Sequence, residues 1–144
     1  LGWSEFCENV KFVSENANFL QFNLVASNLT VHKLYETCTW MKQYSNHINL
    51  SILNSPKVFS EAAVPNIERD VYISSAKKLL KFPVSIYYAA RFRNEINYII
   101  KKYSETKYDQ GLHHHLADEI VEQDSHRTLK LPDVDAFLHG WING

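Results

Sequence analysis

The residues best suited to chemistry lie between Gly111 and Arg127, in the proline-free run GLHHHLADEIVEQDSHR. Carboxylates and imidazoles alternate there at helical spacing. At about 100° per residue, Glu119 and His126 stand two turns apart and point almost the same way. His115 precedes Glu119 by one turn, Glu122 lies between Glu119 and His126 on nearly the same line, and Asp118 is adjacent. Leu112, Leu116 and Ile120 form a neighbouring apolar stripe that would seat this face against other helices. His113, His114 and His115 fan out through about 200° of a helix, so at most one of them can join Glu119 at an ion. Carboxylate with neutral imidazole suits iron, manganese or zinc, and in helix bundles such groups project inward to build dinuclear sites. The competing account is an exposed helix whose acids and histidines are simply solvated.

The elements that would position this run read as helices almost throughout. Ser4 caps a short helix carrying Phe6, Val10 and Val13, and Ser14 or Asn16 starts a second through Phe19, Leu20, Phe22, Leu24 and Val25. A third spans Asn28 to about Tyr44, with Leu29, His32, Leu34, Tyr35, Cys38 and Met41 on one broad face. His32 there reads as a hydrogen-bonded core histidine rather than a ligand. The Asn- and Ser-rich stretch from Asn46 to Pro56 reads as a connection in which Leu50, Ile52 and Leu53 form a short buried segment. Further helices follow from Asn66 to Leu80, from Val84 to Tyr103, through the histidine-carboxylate run, and from Asp133 or Asp135 to Ile142. No sustained period-two alternation flanked by hairpin signals occurs. The expected fold is all-α, a bundle of six or seven helices in one domain over residues 1–144.

Bulk composition narrows the function classes. The 144 residues can form one core, and 45% apolar content with eight Tyr, eight Phe and three Trp argues against disorder. Fifteen basic against sixteen acidic residues give a net charge of −1, which argues against nucleic acid, since that surface needs clustered positive charge. Lys77, Lys78 and Lys81, and Lys101 with Lys102, read as solvated helix faces. No apolar run approaches a membrane span, and no signal-peptide pattern opens the chain. Cys7 and Cys38 have no metal-binding or redox spacing and read as free thiols, so a cytoplasmic setting is expected. Asn28-Leu29-Thr30 matches a glycosylation sequon by chance.

The stretch Leu112–Arg127, followed by Pro132 and the segment Val134–Gly144, resembles the haem-oxygenase-like diiron oxidases and oxygenases. Within them it is similar to the group of the chlamydial death-domain-associating protein. In that family a core helix carries Glu, six intervening residues and His, matched here by Glu119 and His126. The run Phe137-Leu138 to Trp141-Ile142-Asn143-Gly144 is similar to the family's next helix, and Lys81-Phe82-Pro83 before a long aromatic helix also resembles the superfamily. The resemblance implies a haem-oxygenase-like multi-helical bundle and a pair of iron or manganese ions held in part by Glu119 and His126. Glu122, His115 and Asp118 would be further ligands or groups orienting the imidazole. The family's later His-x3-Asp-x2-His cluster does not occur in this chain, so the reading expects a longer protein of which this is the first part.

On this reading the function is that of a non-haem dinuclear-metal oxidase or oxygenase. It would use dioxygen to oxidise a small organic substrate or one of its own side chains, with a homodimer as an expected assembly and no membrane partner. Two alternatives belong to different classes. One is a metal-free helical module that binds a protein partner through its aromatic surface. The other is the metal-free, thiaminase-like or cofactor-maturation branch of the same superfamily, for which Cys38 is the only plausible nucleophile.

Overall fold

The computed structural model describes residues 2–53 and 55–144. Asn54, inside the predicted Asn46–Pro56 connection, lies outside the described residues. The described chain is mostly helical, with seven α-helices: α1 (Trp3–Asn16), α2 (Leu34–Lys42), α3 (Arg69–Lys78), α4 (Ile86–Glu105), α5 (Gln110–Ser125), α6 (Leu131–Val134) and α7 (Ala136–Ile142). None is long and apolar enough to cross a membrane.

The all-α expectation is corrected at two places. Phe22–Ala26 forms strand β1 and Ile48–Ile52 forms strand β2, and the two pair in parallel. Phe22 lies opposite Ile48, Asn23 opposite Asn49, Leu24 opposite Leu50, Val25 opposite Ser51 and Ala26 opposite Ile52. Parallel strands cannot be joined by a hairpin and need a crossover, here supplied by a turn at Val31–Lys33 and by α2. Side chains alternate across a strand, so one face of the pair carries Phe22, Leu24, Ala26, Ile48, Leu50 and Ile52. Of these, Ala26, Ile48 and Leu50 are almost wholly buried in the core with Leu34 and Cys38 of α2. The opposite face carries Asn23, Val25, Asn49 and Ser51.

Buried polar side chains fasten the irregular segment between β2 and α3. The Asn28 side-chain amide donates to the carbonyls of Val58 (2.9 Å) and Ser60 (2.9 Å), while the Asn28 backbone carbonyl accepts from the Tyr72 hydroxyl at 2.7 Å. Asn28 is fully buried, so the sequon it opens is sealed in the core. The Arg69 guanidinium donates to the carbonyls of Val64 (3.0 Å), Glu61 (3.1 Å), Tyr103 (3.4 Å) and Thr106, tying the same segment to the end of α4. Tyr72 stacks on Tyr103 with ring centres 4.9 Å apart.

The C-terminal helices are held by two histidines. His113 Nε2 donates to the Ile142 carbonyl at 3.0 Å, which leaves Nδ1 to accept from the Tyr108 hydroxyl at 2.6 Å. His32 Nε2 bonds Asp135 Oδ2 at 2.7 Å, and Asp135 caps α7 by accepting from the Leu138 amide at 3.0 Å. As expected, His32 is a hydrogen-bonded core group.

Burial holds the His32 imidazole below its ordinary pKa, against the opposing pull of Asp135. Protonation would also give its Nδ1, which is buried without a partner among the described residues, an unsatisfied N–H. A histidine whose folded pKa is depressed contributes stability above its unfolded value, about 6.5, and loses it as pH falls through that value. Urea denaturation at pH 7.5 and pH 5.0 should therefore show a lower midpoint at pH 5.0. Asp135→Ala, which removes both the cap and the partner of His32, should cost about 2 kcal/mol at pH 7.5. An equal midpoint at the two pH values would refute the account of His32.

Candidate functional site

The histidine-carboxylate run forms α5, begun by Asp109, whose side chain accepts from the Leu112 amide at 3.1 Å. Leu116 and Ile120 are buried and Leu112 packs against them, so the predicted apolar stripe faces the core. His113 shares that inward side. The inward face is thereby filled, and the neighbouring column of acids lies at its boundary with water. His115 Nε2 is 3.6 Å from Glu119 Oε1, with side chains 61% and 38% exposed, a loose pair in high dielectric. Asp118 and Glu122 are exposed, and His126 is exposed at the position immediately after the helix. Among the described residues no three His, Cys, Asp or Glu side chains are grouped to share an ion.

Cys38 is fully buried, and burial pushes its thiol up to about 12. A thiol held neutral is a poor nucleophile.

A different set of polar groups converges on the second face of the strand pair. The Asn49 amide donates to Asn23 Oδ1 across the sheet at 3.1 Å, the contact that their register dictates. Gln21, just before β1, donates to the same oxygen at 2.8 Å, and the Tyr88 hydroxyl donates to Gln21 Oε1. One turn further along α4, Arg91 Nη2 donates to Ser51 Oγ at 3.2 Å. These side chains form a continuous row from Tyr88 through Gln21, Asn23 and Asn49, with Ser51 and Arg91 beside its end.

Two groups in this row have capacity to spare. Asn49 Oδ1 is buried and accepts no hydrogen bond among the described residues. Arg91 forms no ion pair among them, and its guanidinium has one described partner, a neutral hydroxyl. An unsatisfied buried carbonyl costs about 1–3 kcal/mol, and a guanidinium offers a planar fork that matches a carboxylate. The row can therefore hold a small molecule that brings an acid group and a hydrogen-bond donor.

No protein-family model matches the chain, and no curated protein or solved structure matches it.

Sequence reasoning overlooked this row. The signal that carried it is the repeated pattern of FNLVA and INLSI, in which an asparagine at the second position of each strand meets the other in register. If the exposed column on α5 has no structural burden, Glu119→Ala and His126→Ala should each change unfolding free energy by no more than about 0.5 kcal/mol. Asn23→Leu, which removes the acceptor shared by Asn49 and Gln21, should cost about 1 kcal/mol in the same urea assay.

Proposed function

We propose that the chain binds a small organic acid on the polar face of its parallel strand pair. The carrying observation is the juxtaposition of Asn49 Oδ1, buried without a donor among the described residues, with the guanidinium of Arg91, which bonds Ser51 Oγ and forms no ion pair among them. The ligand's carboxylate sits on Arg91 and Ser51. An ammonium or hydroxyl on the adjacent carbon would donate to Asn49 Oδ1 once the Asn49 amide turns outward, so amino and hydroxy acids fit better than simple fatty acids.

The His115–Glu119 pair supports a second reading, the dinuclear iron or manganese oxidase acting with dioxygen on a small organic substrate. Such ions, when bound, supply the redox chemistry of dioxygen activation. Glu119 and His126, with Glu122, His115 or Asp118, would be this chain's contribution, and the pair's 3.6 Å separation is compatible with a shared ion. A dinuclear site needs about four carboxylates and two histidines from several helices, whereas these five residues come from a single run. The fit is partial.

Isothermal titration with L-alanine and L-lactate should give dissociation constants near the millimolar range, about −4 kcal/mol. Arg91→Gln should weaken both about tenfold, and Asn49→Leu by a smaller factor. Acids that bind with the same affinity to the protein and to both folded variants would sink the acid-site reading. Elemental analysis of protein purified without chelator tests the second. About two iron or manganese ions per chain, lost in Glu119→Ala and His126→Ala, would establish it, and no metal above background would remove it.

A further inference from the structure

The strand pair has two outer edges, and they differ. Asn49 and Ser51 of β2 are half-buried, with Arg91 of α4 alongside, whereas Asn23 and Val25 of β1 are exposed, Val25 at 51%. The Phe22 N–H donates to the His47 carbonyl at 2.9 Å, and the Ala26 carbonyl accepts from the Leu53 N–H at 2.8 Å. Backbone groups alternate in direction along a strand, so Phe22, Leu24 and Ala26 face β2 while Asn23 and Val25 turn their N–H and C=O to the open side. The Asn23 N–H and C=O and the Val25 N–H have no hydrogen-bond partner among the described residues, and the Val25 carbonyl accepts from the Thr30 hydroxyl at 3.3 Å. Native strands blunt such an edge with lysine, proline, a bulge or a covering element. β1 contains no charge, proline or glycine, and no charged residue occurs from Ala17 to Val31 in a chain that is 22% charged.

We infer that β1 docks a second copy of this chain, its strand pairing antiparallel with its own counterpart across a two-fold axis at Leu24. In that register Asn23 stands opposite the second copy's Val25 and Val25 opposite its Asn23. Both are hydrogen-bonded pairs that exchange N–H and C=O, so all the outward groups find partners. The Val25 carbonyl has a second lone pair, and Thr30 Oγ also lies 3.4 Å from the Ser27 carbonyl, so the Thr30 contact does not compete. On the apolar face Leu24 meets its own counterpart, and Phe22 lies opposite the small Ala26 at both ends. A two-fold interface sets the same patch on both sides, and a patch without charge does not repel itself. The resulting order β2-β1-β1-β2 puts the parallel pair inside a larger sheet, the usual setting of parallel strands. The shared ribbon is short, so the association is weak and concentration-dependent. The side chain of Asn23 keeps its place in the polar row, and the inference stands apart from the acid site.

Sedimentation equilibrium should show a monomer–dimer equilibrium with a dissociation constant on the order of 10–100 μM. The Asn23 and Val25 amides, followed by NMR, should exchange with deuterium more slowly as concentration rises through that range. Val25→Pro removes one outward N–H and leaves the β1–β2 ladder intact, while Val25→Lys sets a charge on the edge. Each should weaken the dimer by about tenfold or more and keep the far-ultraviolet circular dichroism of the parent. A monomer at every concentration would overturn the inference. So would a dimer that the folded variants retain unchanged, or one in which the two amides gain no protection. Protection of those amides in a monomer only on adding a Thr-Val-Thr-Val-Thr peptide would assign the edge to a foreign strand, and would equally overturn pairing with a second copy.

Discussion

The parallel pairing of β1 with β2 is the constraint on which the rest of the arrangement depends. Strands that run the same way cannot be closed by a tight turn, so the chain must leave one end of the pair and return to the other. The return path here is the turn at Val31–Lys33 and α2, whose Leu34, Cys38 and Met41 enter the core beside the apolar face of the strands. Once that crossover is fixed, register follows, and register sets every polar contact on the opposite face. A slip of one residue would turn Asn23 and Asn49 into the core and Phe22 and Ile48 into water.

The second requirement is that irregular backbone be satisfied away from water. The described residues between β2 and α3 form only short helical turns, at Lys57–Phe59, Glu61–Ala63 and Asn66–Glu68. Its buried carbonyls find partners in Asn28 and Arg69, two side chains with several donors each. Burial works against the Arg69 guanidinium, and the nearby Glu61 charge opposes that effect. The arrangement ties the chain after β1 to α3 and α4 through polar contacts, and that in turn holds Tyr88 and Arg91 along the polar face of the strand pair.

Much of the helical frame was legible in the sequence. Ile96 and Ile99 of α4 and Leu116 and Ile120 of α5 are buried as their periodicity demands. The strands were not legible, for a physical reason. Five residues give too little length to separate a period of two from one of 3.6, and Phe19, Leu20, Phe22, Leu24 and Val25 satisfy both. Asn46, Asn49 and Ser51 also carry turn propensity, which concealed a strand whose polar residues all fall on one face. For the same reason the polar row was invisible, because it is made by pairing between segments distant in sequence. His113 was legible only as a histidine, since its partners Tyr108 and the Ile142 carbonyl depend on how α7 returns to α5.

The composition of the second strand face is itself an argument about function. Parallel strands in folded proteins are usually covered on both faces and read as continuous apolar runs. In this pair one face obeys that rule, and the other breaks it with Asn23, Asn49 and Ser51 in three of its four positions. Asparagine is depleted in strands because its side chain competes with the backbone for hydrogen bonds, so two of them in register carry a cost in stability. The cross-strand amide contact recovers part of that cost through Asn23 Oδ1 but leaves Asn49 Oδ1 buried and without a donor among the described residues. Local consistency is broken where a fold has something besides folding to do. On this molecule the broken pattern lies on the strand face beside Arg91.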